Sequence, residues 1–150
     1  SSWVRDSVIG SVEKLRVAKL EGLLMHHPKD LLGINGKLIY AALKTLKTQG
    51  LVKKIGVSIY DPKELDLLWS AYQFDLIQAP CNIFDRRLVS SGWLTRLHEA
   101  GTESHIRSIF LQGLLLMDAV SRPKKFNQWQ YLWDKWHYWL ADQELTSLQV

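Results

Sequence analysis

Residues 50–62 read GLVKKIGVSIYDP, and three structural signals follow one another inside them. Gly50 closes a helix. Leu38, Ile39, Ala42, Leu43 and Leu46 recur at helical spacing over residues 35–49, and a glycine just past such a run is a common stop. From Lys54 to Tyr60, Ile55, Val57 and Ile59 alternate with Gly56 and Ser58, the period-two pattern of a strand. Asp61-Pro62 then opens a new helix, with Asp as N-cap, Pro in the first turn and Glu64 behind it.

The same alternation extends in both directions. Residues 6–19 carry Val8, Ile9, Val12, Leu15 and Val17 among charges and predict a helix. Leu20 to Met25 is a compact apolar run stopped by His26-His27-Pro28, which reads as a buried strand. Phe74 to Gln78 predicts a third strand ahead of Pro80, residues 86–100 a helix ending at Gly101, and Glu103 to Phe110 a fourth strand. A short helix over Leu111 to Met117 and a final one over about 127–143 complete the chain. The connections are long enough for crossovers, so the four strands are expected to be parallel. An open doubly wound sheet and half of a (β/α)8 barrel both satisfy this pattern. Periodicity alone does not separate them.

Composition sets limits. The chain has 150 residues and a mass of 17.3 kDa, which suggests one domain over residues 1–150. A closed (β/α)8 barrel takes about 250 residues. The lone Cys81 excludes a disulfide framework and a cysteine-rich zinc site, and beside Pro80 it reads as a small buried residue. No apolar run reaches the roughly 18 residues of a membrane span. The N-terminus lacks a basic segment followed by an apolar core, so no signal peptide is expected. A cytoplasmic location follows as the expectation. The net charge of +4 would suit an anionic ligand or nucleic acid. The basic residues are dispersed, however, with Lys44, Lys47, Lys53 and Lys54 in one group and Arg122, Lys124 and Lys125 in another. They read as solvated faces, and nucleic acid is not an expected partner.

In parallel α/β folds, ligands gather at the carboxyl ends of the strands. Each predicted strand offers a hydrogen-bonding side chain there: His26 on the first, Ser58 on the second, Gln78 on the third with Asn82 beyond it, and Arg107 with Ser108 on the fourth. No metal site is expected. His26 and His27 are adjacent and point to opposite faces, while His98, His105 and His137 are scattered. Gly33 and Gly36 have neither the spacing nor the preceding strand of a phosphate loop, and no nucleophile elbow occurs.

These stretches resemble the aldo/keto reductases. Leu23-Leu24-Met25-His26-His27-Pro28 is similar to that family's strand and His-x-Pro. Gly50 to Ser58 resembles its G-x-[IV]-[RK]-x-I-G-V-S strand, and Asp75-Leu76-Ile77-Gln78 with Pro80-x-Asn82 its next strand and turn. Phe84 to Leu88, Ser91 to Leu94 and Arg107 to Leu115 resemble a bacterial branch. The resemblance covers about residues 5–140 and implies half of a (β/α)8 barrel, from the helix before the fourth strand to the helix after the seventh. It implies an NADPH-dependent, carbonyl-reducing scaffold. His26 falls at the histidine that hydrogen-bonds the substrate carbonyl, and Ser58 and Gln78 at the residues that hold the nicotinamide carboxamide. Ile59 stands where the family usually has Asn. Arg107, followed by Ser108, stands where an aromatic residue often stacks on the nicotinamide, and an arginine can lie flat on a ring.

The family's proton donor, a tyrosine supported by lysine and aspartate, comes from the first three strands, and its adenosine 2′-phosphate grip follows the eighth. None of these segments is among the 150 residues. Hydride transfer to a carbonyl makes an alkoxide that needs a proton, and a placed general acid is worth roughly 10²–10⁴-fold. His26 would have to donate and position at once. Tyr60 is the nearest tyrosine to a strand end, though no motif assigns it a role. The resemblance therefore implies a truncated scaffold without standalone reductase activity, acting as a self-associating binding or interaction module for a small molecule or partner. The alternative is an NADPH-dependent oxidoreductase, or an NADPH-binding remnant, whose site forms by dimerisation or with a separate chain. A fragment excised from a full enzyme is a third reading.

A half-barrel also predicts two open edges and an exposed apolar inner face, and so a homodimer or higher assembly. One two-fold arrangement pairs the first strand of each copy with the last strand of the other. On the last helix, Trp129, Trp133 and Trp136 share a face widened by Leu132, Trp139 and Leu140. That face either packs against the sheet or forms an interface.

Overall fold

The computed structural model describes residues 2–150. Eleven elements carry the fold: α1 (Ser2–Leu15), β1 (Leu20–Met25), α2 (Pro28–Leu32), α3 (Gly36–Thr48), β2 (Val52–Ser58), α4 (Lys63–Leu68), β3 (Leu76–Pro80), α5 (Arg87–Ser90), α6 (Trp93–Glu99), β4 (Glu103–Arg107) and α7 (Gln130–Asp142). They divide into two compact units, one running to Arg107 and the other covering Ser108–Val150.

The first unit holds one four-stranded sheet in the order β1-β2-β3-β4, and every neighbouring pair is parallel. A doubly wound sheet reverses its order at a switch point. This one never does, so spatial order follows chain order as in a (β/α)8 barrel. The sheet is not closed: β1 and β4 are its edges.

The strands begin where their partners let them. Val52 pairs with Leu20, so β2 starts two residues before the expected Lys54; Leu76 pairs with Gly56, which moves β3 forward from Phe74. Ser108 adopts φ 61° and ends β4 at Arg107, short of the expected Phe110. The helix expected over residues 86–100 is two helices, because Gly92 at φ 77° breaks it. At the start of α4, the Asp61 carboxylate accepts from the Lys63 amide at 3.0 Å. Glu64 reaches back to the Tyr60 amide at 2.7 Å and the Asp61 amide at 3.2 Å, a capping-box arrangement.

The two faces of the sheet differ sharply. Ile55, Val57, Ile59, Ile77 and Ala79 alternate onto the helix-covered face. There they join two clusters: Val8, Leu43 and Leu46 pack over β2, while Leu31, Leu65, Leu68, Tyr72, Leu88, Trp93 and Leu97 cover the rest. In its middle rows, register places Gly22, Leu24, Lys54, Gly56, Ser58, Leu76, Gln78, Glu103 and His105 on the opposite, inner face, with Leu20 and Val52 before them and Pro80 and Arg107 after them. The expectation of an apolar inner face is corrected. Apart from glycine, Leu24 and Leu76 are the apolar residues of the middle rows and the rest of those rows carry charges or hydrogen-bonding groups, while Leu20, Val52 and Pro80 are apolar at the two ends.

In the second unit, Trp133, Trp136 and Leu140 form the buried stripe of α7. Trp133 donates its indole N–H to the Phe126 carbonyl at 3.2 Å and lies 4.0 Å beneath the Arg122 guanidinium. Trp129 leaves the shared face because residues Lys124–Trp129 form a 3₁₀ turn rather than the first turn of α7.

Gly56 is the tightest point of the sheet. A Cβ there would lie 2.0 Å from the Leu76 carbonyl oxygen, whereas one on Gly50 (φ 75°) would meet nothing within 4 Å. Gly56→Ala is expected to destabilise the fold by about 2–3 kcal/mol in urea unfolding, against about 1 kcal/mol for the conformational penalty of Gly50→Ala. Equal losses for the two variants would contradict the close approach.

Candidate functional site

The carboxyl ends of the strands bring the expected residues together in rows. Ser58 pairs with Gln78, and Gln78 with His105. Ser58 is 3% exposed, while Gln78 is half-buried. His26 is the residue after β1, exposed, with its ring edge-on to Tyr60 at 6.4 Å between centroids. His27 lies 4.8 Å from His26. Cys81 follows β3 and donates its amide to the Arg107 carbonyl at 3.1 Å. Ser108 opens the second unit at φ 61°.

Arg107 is in register with Pro80, one row beyond Gln78, and its side chain reaches across β3 toward the end of β2. Nη2 donates to the Ile59 carbonyl at 2.9 Å, and the guanidinium carbon sits 4.4 Å from the centre of the Tyr60 ring. The Ile59 amide in turn donates to the Gln78 carbonyl at 2.8 Å. The guanidinium does sit over a ring, and that ring is Tyr60. Tyr60, to which the motifs assign no role, thus neighbours both His26 and Arg107.

A second feature unseen in the sequence clamps the loops around this end. Arg87 grips Asp85 through two bonds of 2.8 Å and Asp61 through a third of 2.8 Å. Asn82 accepts from the Phe84 and Asp85 amides at 2.9 Å each, shaping the turn after β3. Asp85 is held below the usual carboxylate range chiefly by its hydrogen bonds from the Arg87 side chain. Asp61 is held low first by the Lys63 amide and then by Arg87.

Toward the amino ends of the strands, Lys53 pairs with Glu21 at 2.5 Å, and Lys54 bridges Glu21 at 3.7 Å and Glu103. Glu103 also meets His105 at 2.5 Å. Glu21, Lys54, Glu103 and His105, with Gly22, Leu24 and Leu76, line a small hollow of about 160 Å³. A larger groove of about 770 Å³ opens at the amino ends of the strands beside Tyr40, Lys44, Asp75 and Thr102, and contains none of the expected site residues. Among the described residues, no three His, Cys, Asp or Glu side chains are placed to hold a metal ion, and no helix is long and apolar enough to cross a membrane.

Ser58 offers a hydroxyl and Gln78 an amide, a donor and acceptor set that matches a primary carboxamide. The planar guanidinium at the same strand end can lie against a flat, uncharged ring. These residue types fit a nicotinamide.

Three kinds of comparison bear on the chain. The aldo/keto reductase family model matches residues 1–146. Among solved structures, the glycerol dehydrogenase from Gluconobacter oxydans aligns with a TM-score of 0.73 and 23% identity, over 96% of this chain and 48% of that one. An aldo-keto reductase from Bacillus halodurans, in its holo form, aligns with a TM-score of 0.64 and 21% identity, over 81% of this chain and 40% of that one. The silkworm Bombyx mori enzyme aligns with a TM-score of 0.58 and 16% identity, over 81% and 38%. At such identities the likeness shows the fold alone. No curated protein matches the chain. The chain spans less than half the length of each of these three structures.

The ion pairs that link β1, β2 and β4 make a pH prediction. Glu103 is held below its ordinary 4.5 first by Lys54 and then by His105, and Glu21 first by Lys53. Depressed carboxylates contribute stability above their unfolded pKa and lose it as pH falls through the folded values. Urea midpoints are expected to hold from pH 7 to the ordinary carboxylate value and to fall below it. Lys54→Met should make that acid decline shallower. Parallel curves for the two proteins would exclude the coupling.

Proposed function

The chain belongs to the aldo/keto reductase family, and from that premise we propose that its residues form the cofactor-facing wall of an NADPH-dependent, carbonyl-reducing oxidoreductase site. When bound, NADPH supplies a hydride to a carbonyl carbon. Ser58 and Gln78 hold the carboxamide of the nicotinamide and so fix which face of the ring meets the substrate. His26, at the end of the neighbouring strand, holds the carbonyl oxygen and steadies the negative charge that develops on it. The supporting observation is the row itself: Ser58 and Gln78 are in register on one face of adjacent strands, with His26 and Arg107 at the adjoining strand ends.

The proposal assigns these 150 residues binding and orientation, not turnover. His26 is the group at this end placed to polarise a carbonyl, and it cannot serve fully as both positioner and proton donor in one step. Nicotinamide fluorescence tests the assignment. NADPH is expected to bind saturably at or below about 100 µM, a free energy of about −5.5 kcal/mol. Ser58→Ala combined with Gln78→Ala should weaken it about thirtyfold, the loss of two hydrogen bonds of ordinary net worth. Absence of saturation up to millimolar NADPH overturns the reading.

The edges of the sheet support self-association as well. β1 and β4 each present one unpaired side, and unpaired strand edges recruit other strands. Light scattering at micromolar concentration is expected to give at least twice the monomer mass, and a sharp 17.3 kDa species overturns this part of the reading.

A further inference from the structure

Arg107 carries a charge that no carboxylate neutralises. Ion pairs engage Lys47, Lys53, Lys54, Arg87 and His105, but among the described residues none engages Arg107. Its partners are a carbonyl oxygen at 2.9 Å and the face of the Tyr60 ring at 4.4 Å. A guanidinium stays protonated at every working pH, so a full positive charge stands at this end of the sheet. Its position is set by the chain. Ile59, whose carbonyl holds Arg107, follows Ser58 and donates its own amide to Gln78, so the charge is held at the strand end that carries the Ser58–Gln78 row.

We propose that Arg107 makes the site discriminate between the two oxidation states of the nicotinamide, favouring the reduced form, with Tyr60 as the residue that positions it. This rests on the cofactor reading of the same site. An oxidised nicotinamide ring carries a positive charge and a reduced one is neutral. A fixed guanidinium beside the Ser58–Gln78 row repels the former and leaves the latter unaffected. The adenosine and phosphate groups are common to both forms, so their contributions cancel in the ratio of the two affinities. Tyr60 holds the guanidinium plane through its ring face, a contact that needs the aromatic ring and not the hydroxyl.

The ratio of Kd for NADP+ to Kd for NADPH is the readout, taken for both from quenching of the chain's own tryptophan fluorescence. The native chain is expected to bind NADPH about fivefold tighter, the effect of two like charges about 4 Å apart in water-like surroundings. Arg107→Leu should bring the ratio close to one, and Arg107→Lys should keep part of the preference because it keeps the charge. Tyr60→Ala should reduce the ratio and Tyr60→Phe should restore it. Raising the salt to about 1 M, where screening acts within about 3 Å, should shrink the native ratio. Circular dichroism of each variant confirms that it is folded. A merely structural role for Arg107 would move both affinities together and leave the ratio alone. If both forms bind the native chain equally, or if the preference survives in Arg107→Leu, the inference is wrong while the cofactor reading stands. If neither form binds, the cofactor reading fails and takes the inference with it.

Discussion

The backbones of β2 and β3 approach so closely at Gly56 that no side chain fits between them: the Leu76 carbonyl occupies the place where a Cβ would stand. A register slip of one residue would put Ile55 or Val57 at that point and drive a branched side chain into the neighbouring strand. With Gly56 opposite Leu76, Ser58 must stand opposite Gln78, and Ile59 must donate to the Gln78 carbonyl. At the amino end the same register brings Asp75 against Ile55. Its carboxylate accepts the Ile55 amide at 2.9 Å and the Lys47 ammonium at 2.6 Å, tying α3 to the sheet. One glycine thus aligns both ends of the central strand pair.

Much of this was readable in advance, because alternation in β2 is unambiguous. Ile55, Val57 and Ile59 identify the helix-covered face, and the strand order along the chain follows from four similar segments. The motifs that resemble the aldo/keto reductases placed the same segments in a barrel, and the unbroken order β1-β2-β3-β4 agrees. What misled was the expectation of an apolar inner face, drawn from the architecture rather than from the residues. Counting in twos from the buried positions puts Lys54, Glu103 and His105 on the inner side. Which of these charges meet depends on the stagger between strands, which one sequence does not display. The split between α5 and α6 had a visible cause in Gly92, but a glycine inside an apolar periodic run is compatible with an unbroken helix until its φ is known.

The site was legible at the level of strand ends and not beyond. His26, Ser58, Gln78 and Arg107 each lie where parallel strands terminate, and the sheet brings their elements together. The contacts of Tyr60 with His26 and Arg107 join three separate strand ends, so no local spacing announces them. The Arg87 clamp on Asp61 and Asp85 has the same character. One of its partners is two residues away and readable as a local turn contact, while the other comes from the preceding crossover and requires the fold.

The second unit begins with an unusual backbone. Ser108, Leu111 and Gln112 all take positive φ values, 61°, 49° and 58°, and Gly113 follows at 87°. Left-handed geometry costs a side-chain-bearing residue roughly 1–2 kcal/mol, so three such residues within five positions hold several kcal/mol against the rest of the fold. Releasing that strain requires no more than local opening, which places this segment at the low end of the chain's range of opening free energies. Its amides will exchange with solvent deuterium well before those of β2 and β3. The loop leaving the fourth strand thus opens at a smaller energetic cost than the strands it follows.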